Sequence, residues 1–326
     1  MTTTRNTAVL VAGSANLDFV VRATHVPAPG ETVLGRDFAT FPGGKGANQA
    51  VASTRAGGAA TEMLLALGTD DQAEIIESSL RRAGVTLHVL RVADHATGTA
   101  FICLGDNAEN AITVAPGANL ALRPSDLPPL ERFGYLLLQL ETPIETVNAF
   151  AQAARAAGIK TVLNAAPART LPAALLAALD VLIVNEGELA TITGNHGNVA
   201  SALAQIEVPC VIVTLGLRGC CARDRGEFFL QPGFRVAPVD TTAAGDTFCG
   251  ALVAALSRGA ALPAALRRAS ASAALACTRL GAQTSIPTTD EVESFLRSNP
   301  PPAAGDDELA AYCGVASNQS SSKTRQ

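Results

Sequence analysis

No stretch of this 326-residue chain gathers Lys or Arg into a block, and the formal net charge is −5. The basic footprint that a nucleic acid or an acidic membrane surface asks for is therefore missing, and any phosphate-bearing ligand has to be held by local groups. No two of the 7 cysteines stand in a C-x-x-C pair, and most sit in apolar surroundings such as Ala100-Phe-Ile-Cys103. An odd number of such thiols speaks against a disulfide framework or a zinc site, and for free cysteines in a reducing compartment. The histidines, at 25, 88, 95 and 196, share no ligand spacing, which removes a metal hydrolase. The opening MTTTRNTAVLVAG has one Arg and too short an apolar run for a secretory leader. The longest apolar stretch, 171–184, carries Pro172 and Asp180 and falls short of the ~20 residues of a membrane span. A cytoplasmic protein is expected.

What the chain does have is a hydrophobic content of 48%, enough for the core of one large α/β domain or two ordinary ones. A short apolar run at 8–13 suits a buried parallel strand. Mixed strands follow at 18–22 and 31–40 around the turn Pro27-Ala-Pro-Gly30, then a helix at 46–55. After strand 62–67, helix 71–83 and strand 87–92, a second mixed pair lies at 98–104 and 110–114. The second half alternates regularly: strands at 135–139, 161–163, 181–184 and 210–214, helices at 144–157, 172–178, 187–191 and 199–205. A hairpin is expected within 218–229, and helices at 246–257, 262–279 and 290–297. Alternation at this spacing predicts a central parallel sheet covered by helices on both faces. The two mixed pairs do not fit it and are expected to form a small separate sheet, a lid or subunit contact. Beyond Asn299 the Pro- and Ser-rich composition predicts disorder to 326 with one helical turn near 308–312.

Asp240-Thr-Thr-Ala-Ala-Gly-Asp-Thr-Phe-Cys-Gly250 reads as a turn feeding a helix. Its small residues Ala243, Ala244 and Gly245 leave backbone N–H groups bare where a helix start attracts anions, beside the carboxylate of Asp246. An ordinary capping turn has the same composition. Pro42-Gly43-Gly44-Lys45-Gly46-Ala47-Asn48 is neither a Walker loop, since position 39 is Ala and Gly follows Lys45, nor a dinucleotide fingerprint, since the third Gly is absent. It remains a glycine pair that lets backbone approach a polyhydroxylated ligand near Asn48, or a plain glycine-rich helix entry.

Asn16 and Asp18 bracket Leu17, so a period of 2 sends both to one side, as a grip on hydroxyls requires and as a polar strand end also allows. Glu141 follows an apolar strand where parallel sheets place ligands, or merely enters a helix. Asn185 and Glu188 share a first helical turn, suited to magnesium through water or simply to the helix dipole. The loop from Thr214 through Leu215, Gly216, Leu217 and Arg218 to Gly219 has backbone for an adenine or phosphate, or for a hairpin connection. No G-x-S-x-G elbow is present.

The order of these motifs resembles the ribokinase-like sugar kinases. It runs Gly13-Ser-Ala-Asn-Leu-Asp18, Pro29-Gly-Glu-Thr32, Gly43-Gly-Lys-Gly-Ala-Asn-Gln-Ala50, Leu138-Gln-Leu-Glu141, Asn164-Ala-Ala-Pro-Ala168, Asn185-Glu-Gly-Glu188, Thr214-Leu-Gly216, Asp240 to Phe248 and Gly281-Ala-Gln-Thr-Ser-Ile-Pro287. The resemblance covers about 9–296. It implies a three-layer α/β/α domain over 1–298 with a mainly parallel sheet, a β-sheet lid from about 18–40 and 98–115, and a homodimer through that lid. It implies ATP-dependent phosphorylation of D-ribose at O5, with deoxyribose, another sugar or a nucleoside as rival substrates and a non-catalytic sugar- or nucleotide-binding protein as the rival class.

By the same resemblance Asp246 is the base and the backbone of Ala243, Ala244 and Gly245 the anion hole. Phosphoryl transfer asks mainly for positioning and charge stabilisation, so no specially activated base is needed. Asn16, Asp18, Gly44, Lys45, Gly46, Ala47, Asn48 and Glu141 match sugar positions. Asn185, the 214–219 loop, Gly245 and Ser270 match nucleotide positions. Glu188 matches a Mg²⁺ position, and Asp240, Thr242, Ala276, Arg279, Gly281 and Ser285 match a K⁺ site built mostly from backbone carbonyls. Two residues depart from the pattern: Ser270 stands where a larger polar side chain is usual near adenine, and Cys249 where Asn is common.

Overall fold

Alternate residues of the central strands belong to two different apolar clusters, and this decides the architecture. Val9 and Val11 join one cluster, while Leu10 and Ala12 join the other. Leu137 and Ile183 likewise face away from Leu136, Leu138, Leu182 and Val184. Strands apolar on both sides need helices on both sides, which is why their sequences read as unbroken apolar runs. The computed structural model describes residues 6–106, 110–195, 197–300 and 307–315. The disorder expected at 301–306 and 316–326 falls outside the described residues.

In chain order the first strands are β1 (Ala8–Ala12), β2 (Asn16–Ala23), β3 (Asp37–Gly43), β4 (Thr61–Leu67), β5 (Thr86–Arg91), β6 (Gly98–Gly105) and β7 (Asn110–Ala115). They are followed by β8 (Phe133–Leu138), β9 (Lys160–Asn164), β10 (Val181–Asn185), β11 (Cys210–Thr214), β12 (Gly219–Asp224) and β13 (Glu227–Pro232). The large sheet has the order β13-β12-β11-β10-β9-β8-β1-β4-β5. It is parallel from β11 to β5 and ends in the antiparallel hairpin β12–β13. Arg225 (φ 48°) and Gly226 (φ 91°) make that hairpin's turn with two left-handed residues, the form that matches strand twist.

Helices α1 (Lys45–Arg55), α2 (Asp71–Arg82), α3 (Ile144–Ala156), α4 (Ala173–Ala177) and α5 (Glu186–Thr193) lie in the first two-thirds of the chain. After them come α6 (Val199–Ala204), α7 (Ala244–Ser257), α8 (Leu262–Ala276), α9 (Thr289–Ser298) and α10 (Asp307–Cys313). One face of the sheet buries residues of α1, α2, α7, α8 and α9, and the other residues of α3, α4, α5, α6 and α10. No helix among the described residues is long and apolar enough to cross a membrane.

The small sheet has the order β3-β2-β6-β7 and leaves the large one directly, since β2 starts four residues after β1 ends. Its second strand is not where the sequence put it. Residues 31–36 are not strand: Glu31 folds back, accepting from the Ala28 N–H (2.9 Å) and pairing with His25. The prolines at 27 and 29 supply no N–H for a ladder. The strand begins at Asp37 and runs on through Gly43, which pairs with Asn16 and so brings the glycine motif beside the first strand's polar end. The C-terminal helix is also longer than the single turn expected, with Leu309, Ala310 and Cys313 buried.

Candidate active site

The carboxyl ends of the parallel strands and the starts of α1 and α7 meet in one place. Asp246, in the first turn of α7, is buried, and both its oxygens accept hydrogen bonds: Oδ2 from Asn48 Nδ2 (3.0 Å), Oδ1 from Gln49 Nε2 (2.9 Å). Gln49 is held in turn by Asn164 Oδ1 (3.0 Å) and by Gln139 Nε2, which donates to its Oε1 (2.7 Å). The carboxylate is thus aimed by amides from α1 and the ends of β8 and β9.

Helix α7 starts without any side-chain cap, and Ala243 sits in the left-handed region (φ 57°). The first N–H groups of a helix have no partner within it, and the dipole gives them a positive end. The Ala244 N–H is committed to Thr241 O (3.2 Å), so the donor set named from the sequence is corrected: of Ala243, Ala244 and Gly245, Ala244 is engaged in the turn. A Cβ placed on Gly245 would meet nothing within 4 Å, so its backbone faces open space.

Asn16, Asp18, Lys45 and Glu141 gather on the other side of Asp246. Gly44 adopts φ 88°, and a Cβ there would lie 2.7 Å from Asn16 N, so only glycine lets the start of α1 pass this close to the start of β2. Glu141 accepts from the Ser14 hydroxyl and, at 3.1 Å, from the Lys45 N–H. Asn16 Oδ1 accepts from Asn119 Nδ2 (2.8 Å). Burial pushes the Asp18 carboxyl up to about 7, and the Glu141 and Asp246 carboxylates add to the shift. The Asp246 carboxylate holds the Lys45 ammonium above its ordinary value against the effect of burial, with Glu141 and Glu188 contributing. Lys45 is therefore a fixed cation among three carboxylates. Burial raises Glu188, with Asp246 adding to it, while the Asn185 N–H (2.8 Å from Oε2) and Lys45 pull it back.

Gly245 and Ala244 also wall a cavity of about 320 Å³ lined by Thr214, Gly216, Leu217, Gly219 and Ser270. Its remaining lining is largely apolar, from Phe234, Val236 and Pro238 to Ala273, none of which the sequence had singled out. Three sequence candidates lie elsewhere. Leu215 is buried in the core, Arg218 stacks on Tyr312, and Ala47 is fully buried with its N–H donated to Ser14 O (2.9 Å). Gly46 packs against the Ser14 backbone, so it too shapes the helix entry. Asn185 caps α5 through its Oδ1, which accepts from the Glu188 N–H (2.8 Å).

The residues assigned to a monovalent cation are brought together by backbone. Val239 and Asp240 donate to Cys277 O (2.7 and 3.2 Å), and the Gly281 N–H to Asp240 Oδ2 (2.9 Å). Burial works against the Asp240 charge, but bonds from Thr242 and Gly281 hold the carboxyl below its ordinary value. The Arg279 side chain is taken by Glu291 (2.6 Å), the Ser285 hydroxyl by Ala282 O (2.8 Å) and the Ala276 carbonyl by the Arg279 N–H (3.2 Å). Among the described residues no three His, Cys, Asp or Glu form a metal-binding group. Cys249 is buried, and burial together with the Asp246 and Glu188 carboxylates drives its thiol well above the ordinary range, which keeps it protonated and unreactive.

Sequence reasoning missed Ser14, Gln49, Asn119 and Gln139, and gave Asn164 no role. A signal was present for Gln139, a polar residue inside Leu136-Leu-Leu-Gln-Leu140, since polar groups in buried runs need partners.

A buried acid at an uncapped helix start, between a cluster of polar side chains and an apolar cavity on an α/β/α fold with a smaller separate sheet, fits a kinase of small hydroxylated substrates. The chain belongs to the pfkB family of carbohydrate kinases, whose model matches residues 6–289. Within that family its likeness is to ribokinases. Ribokinase of Haemophilus influenzae is 38% identical over 299 residues, covering 88% of this chain and 97% of that protein. The structure of Thermotoga maritima ribokinase is similar with a TM-score of 0.83 at 36% identity, over 89% of this chain and 99% of that one. Arabidopsis thaliana ribokinase, complexed with ribose and ATP, is similar with a TM-score of 0.82 at 33% identity, over 89% and 98%.

Proposed function

We propose that this kinase transfers the γ-phosphoryl group of ATP to the O5 hydroxyl of D-ribose. The observation that carries the reading is the place of Gly245 and Asp246, adjacent residues of which one walls the apolar cavity and the other bonds into the polar cluster. Nucleotide and sugar would meet at that junction. Asn16, Asp18, Asn48 and Glu141 hold the hydroxyls; Asn48 Oδ1, buried without a partner, is an acceptor for one of them. Asp246 takes the O5 proton as the O5–phosphorus bond forms and the bond to the ADP oxygen breaks. The Gly245 N–H and the Lys45 ammonium offset charge on the transferring group, which a loose transition state leaves largely on its oxygens.

Glu188 offers one buried carboxylate, and Mg²⁺ commonly takes one or two with water and phosphate completing its shell, so the residues fit that ion. It would supply charge neutralisation to the phosphates. The loops at 240–242 and 276–285 would hold K⁺ through free carbonyl lone pairs, bracing the start of α7. Both faces of the lid expose apolar side chains, Phe38 and Phe101 on one and Ile112 and Val114 on the other, which supports a dimer through the lid. A single-chain mass by light scattering would remove that part of the proposal.

The test is ADP release over ribose, deoxyribose, fructose, adenosine and inosine, with K⁺, Na⁺ or a bulky organic cation. Ribose with K⁺ is expected to turn over fastest. Faster turnover of another substrate overturns the sugar, equal rates in all cations overturn the K⁺ site, and ribose binding without any turnover overturns the enzyme.

Asp18 gives the reaction a pH signature. The free enzyme holds a proton there below about pH 7, and a protonated carboxyl is a poorer acceptor for hydroxyls. KM for ribose is therefore expected to rise as pH falls through about 7, and Asp18→Asn to flatten that dependence. Because the folded pKa lies above the unfolded value, the folded chain binds more protons between about pH 4 and about 7, and stability falls as pH rises through that window. The thermal midpoint of Asp18→Asn should exceed that of the wild type by more at pH 8 than at pH 5. A KM flat with pH in the wild type would refute this role.

A further inference from the structure

Helix α10 lies outside the span matched by the family, 6–289, yet it is built into the domain. Leu309 and Cys313 belong to the apolar cluster on one side of the large sheet, in which Cys221 of β12 is also buried. The chain then turns at Gly314 (φ 72°) against Asn198. With one face of α10 fixed in this way, Tyr312 is carried to the other, half-exposed, and makes two polar contacts. Its hydroxyl donates to Glu186 Oε1, and its ring lies under the guanidinium of Arg218, 4.3 Å from the centroid. Two contacts of different kind on one side chain fix both its reach and its tilt.

Arg218 belongs to a turn at the cavity, and Glu186 to the turn that leaves the neighbouring strand. Glu186 is the first residue of α5, between Asn185 and Glu188. Arg218 closes the 3-10 turn Gly216–Arg218, in which Gly216 and Leu217 line the cavity. The turns leave adjacent parallel strands, β10 and β11, where Asn185 pairs with Thr214. The 216–218 turn contains Gly216 and has Leu217 largely exposed, so it is not fixed by packing from above, whereas the start of α5 is held by its own cap. Tyr312 supplies the link between them that the sheet alone does not. The Glu186 carboxylate pushes the phenol above its ordinary value, so the hydroxyl remains a donor at neutral pH.

We propose that Tyr312 is a positioning residue for the nucleotide, anchoring the 216–218 turn, which lines the cavity, to the start of α5 so that this wall is held where the nucleotide requires it. This rests on reading the 320 Å³ cavity as the nucleotide site. Tyr312 touches neither substrate; it acts through Glu186 and Arg218. The effect therefore falls on nucleotide affinity and leaves the sugar cluster and Asp246 alone.

The experiment compares the wild type, Tyr312→Ala, Tyr312→Phe and the cavity-filling Ala273→Phe, reading kcat, KM for ATP, KM for ribose, ADP affinity by calorimetry and the thermal midpoint. Tyr312→Ala is expected to raise KM for ATP and the ADP dissociation constant by about three- to tenfold, the scale of one cation–π contact and one charge-assisted hydrogen bond near the surface. Both kcat and KM for ribose should stay within about twofold, the pattern of lost nucleotide binding without lost chemistry. Tyr312→Phe, which keeps the ring under Arg218 but loses the bond to Glu186, should fall between. Unchanged nucleotide constants in Tyr312→Ala, with ADP binding weakened by Ala273→Phe, overturn the role of Tyr312 alone. Unchanged constants in both overturn the nucleotide reading of the cavity. A parallel loss for both substrates with a lowered midpoint overturns the positioning role and leaves α10 as packing.

Discussion

Asp246→Asn is expected to lower turnover by about 10³- to 10⁴-fold, the upper part of the range for a positioned general base, while the protein folds and binds ribose. The fold should survive because the site can re-pair around the amide. In the wild type Asp246 accepts from two amide NH₂ groups, of Asn48 and Gln49. An Asn keeps one acceptor for Gln49 and gains a donor that would face the Asn48 NH₂. Turning the Asn48 amide over meets that donor with its Oδ1, which has no partner in the wild type. What the variant lacks is a base for the O5 proton. Turnover within about tenfold of the wild type would refute the assignment, and ribose binding by calorimetry with a thermal melt separates lost chemistry from lost structure.

Gly250→Val is expected to damage stability and activity together. A Cβ on Gly250 would stand 2.3 Å from Gln49 O, 2.6 Å from Ala52 Cβ and 2.7 Å from Ser53 N. The backbones of α1 and α7 therefore touch at this point, one turn from Asp246. Larger side chains at closely packed positions cost about 1–3 kcal/mol, and more where backbone has to move. In a chain of this size a loss of about 3 kcal/mol lowers the melting midpoint by about 4 °C. The same separation draws Gln49 from Asp246, so turnover should fall even at temperatures where the variant is folded. Gly250→Ala should show both effects in smaller measure. A Gly250→Val protein with wild-type melting and turnover would show that the helices have room to spare.

Much of the fold was legible because burial on two faces writes itself plainly: an unbroken apolar run at 8–13 or 135–139 followed by a helical period admits few other arrangements. The small sheet's second strand was misplaced for a local reason. Glu31 and Thr32 resemble strand by alternation, but the prolines before them and the Glu31 hydrogen bonds turn the backbone away. Asn16, Asp18, Asn48, Glu141 and Asp246 were singled out because their residue types and order carry chemistry, and the structure brings them into one cluster. Gln49 and Gln139 escaped because they touch only other side chains, and a second layer of amides has no spacing rule. Leu215 and Ala47 were assigned by lying inside a motif; their side chains point into the core, which adjacency in sequence cannot reveal. Helix α10 was read as a single turn because seven residues in a Pro- and Ser-rich context give little period to read.

The acid is aimed by residues far apart along the chain: Gln49 lies 197 positions from Asp246, 115 from Asn164 and 90 from Gln139. No short fragment of the polypeptide contains this arrangement, which spans 49–246. Catalytic rate in rising denaturant should thus vanish with the whole tertiary structure, in step with the circular dichroism of the sheet, and a simple assay becomes a gauge of how much of the population is native.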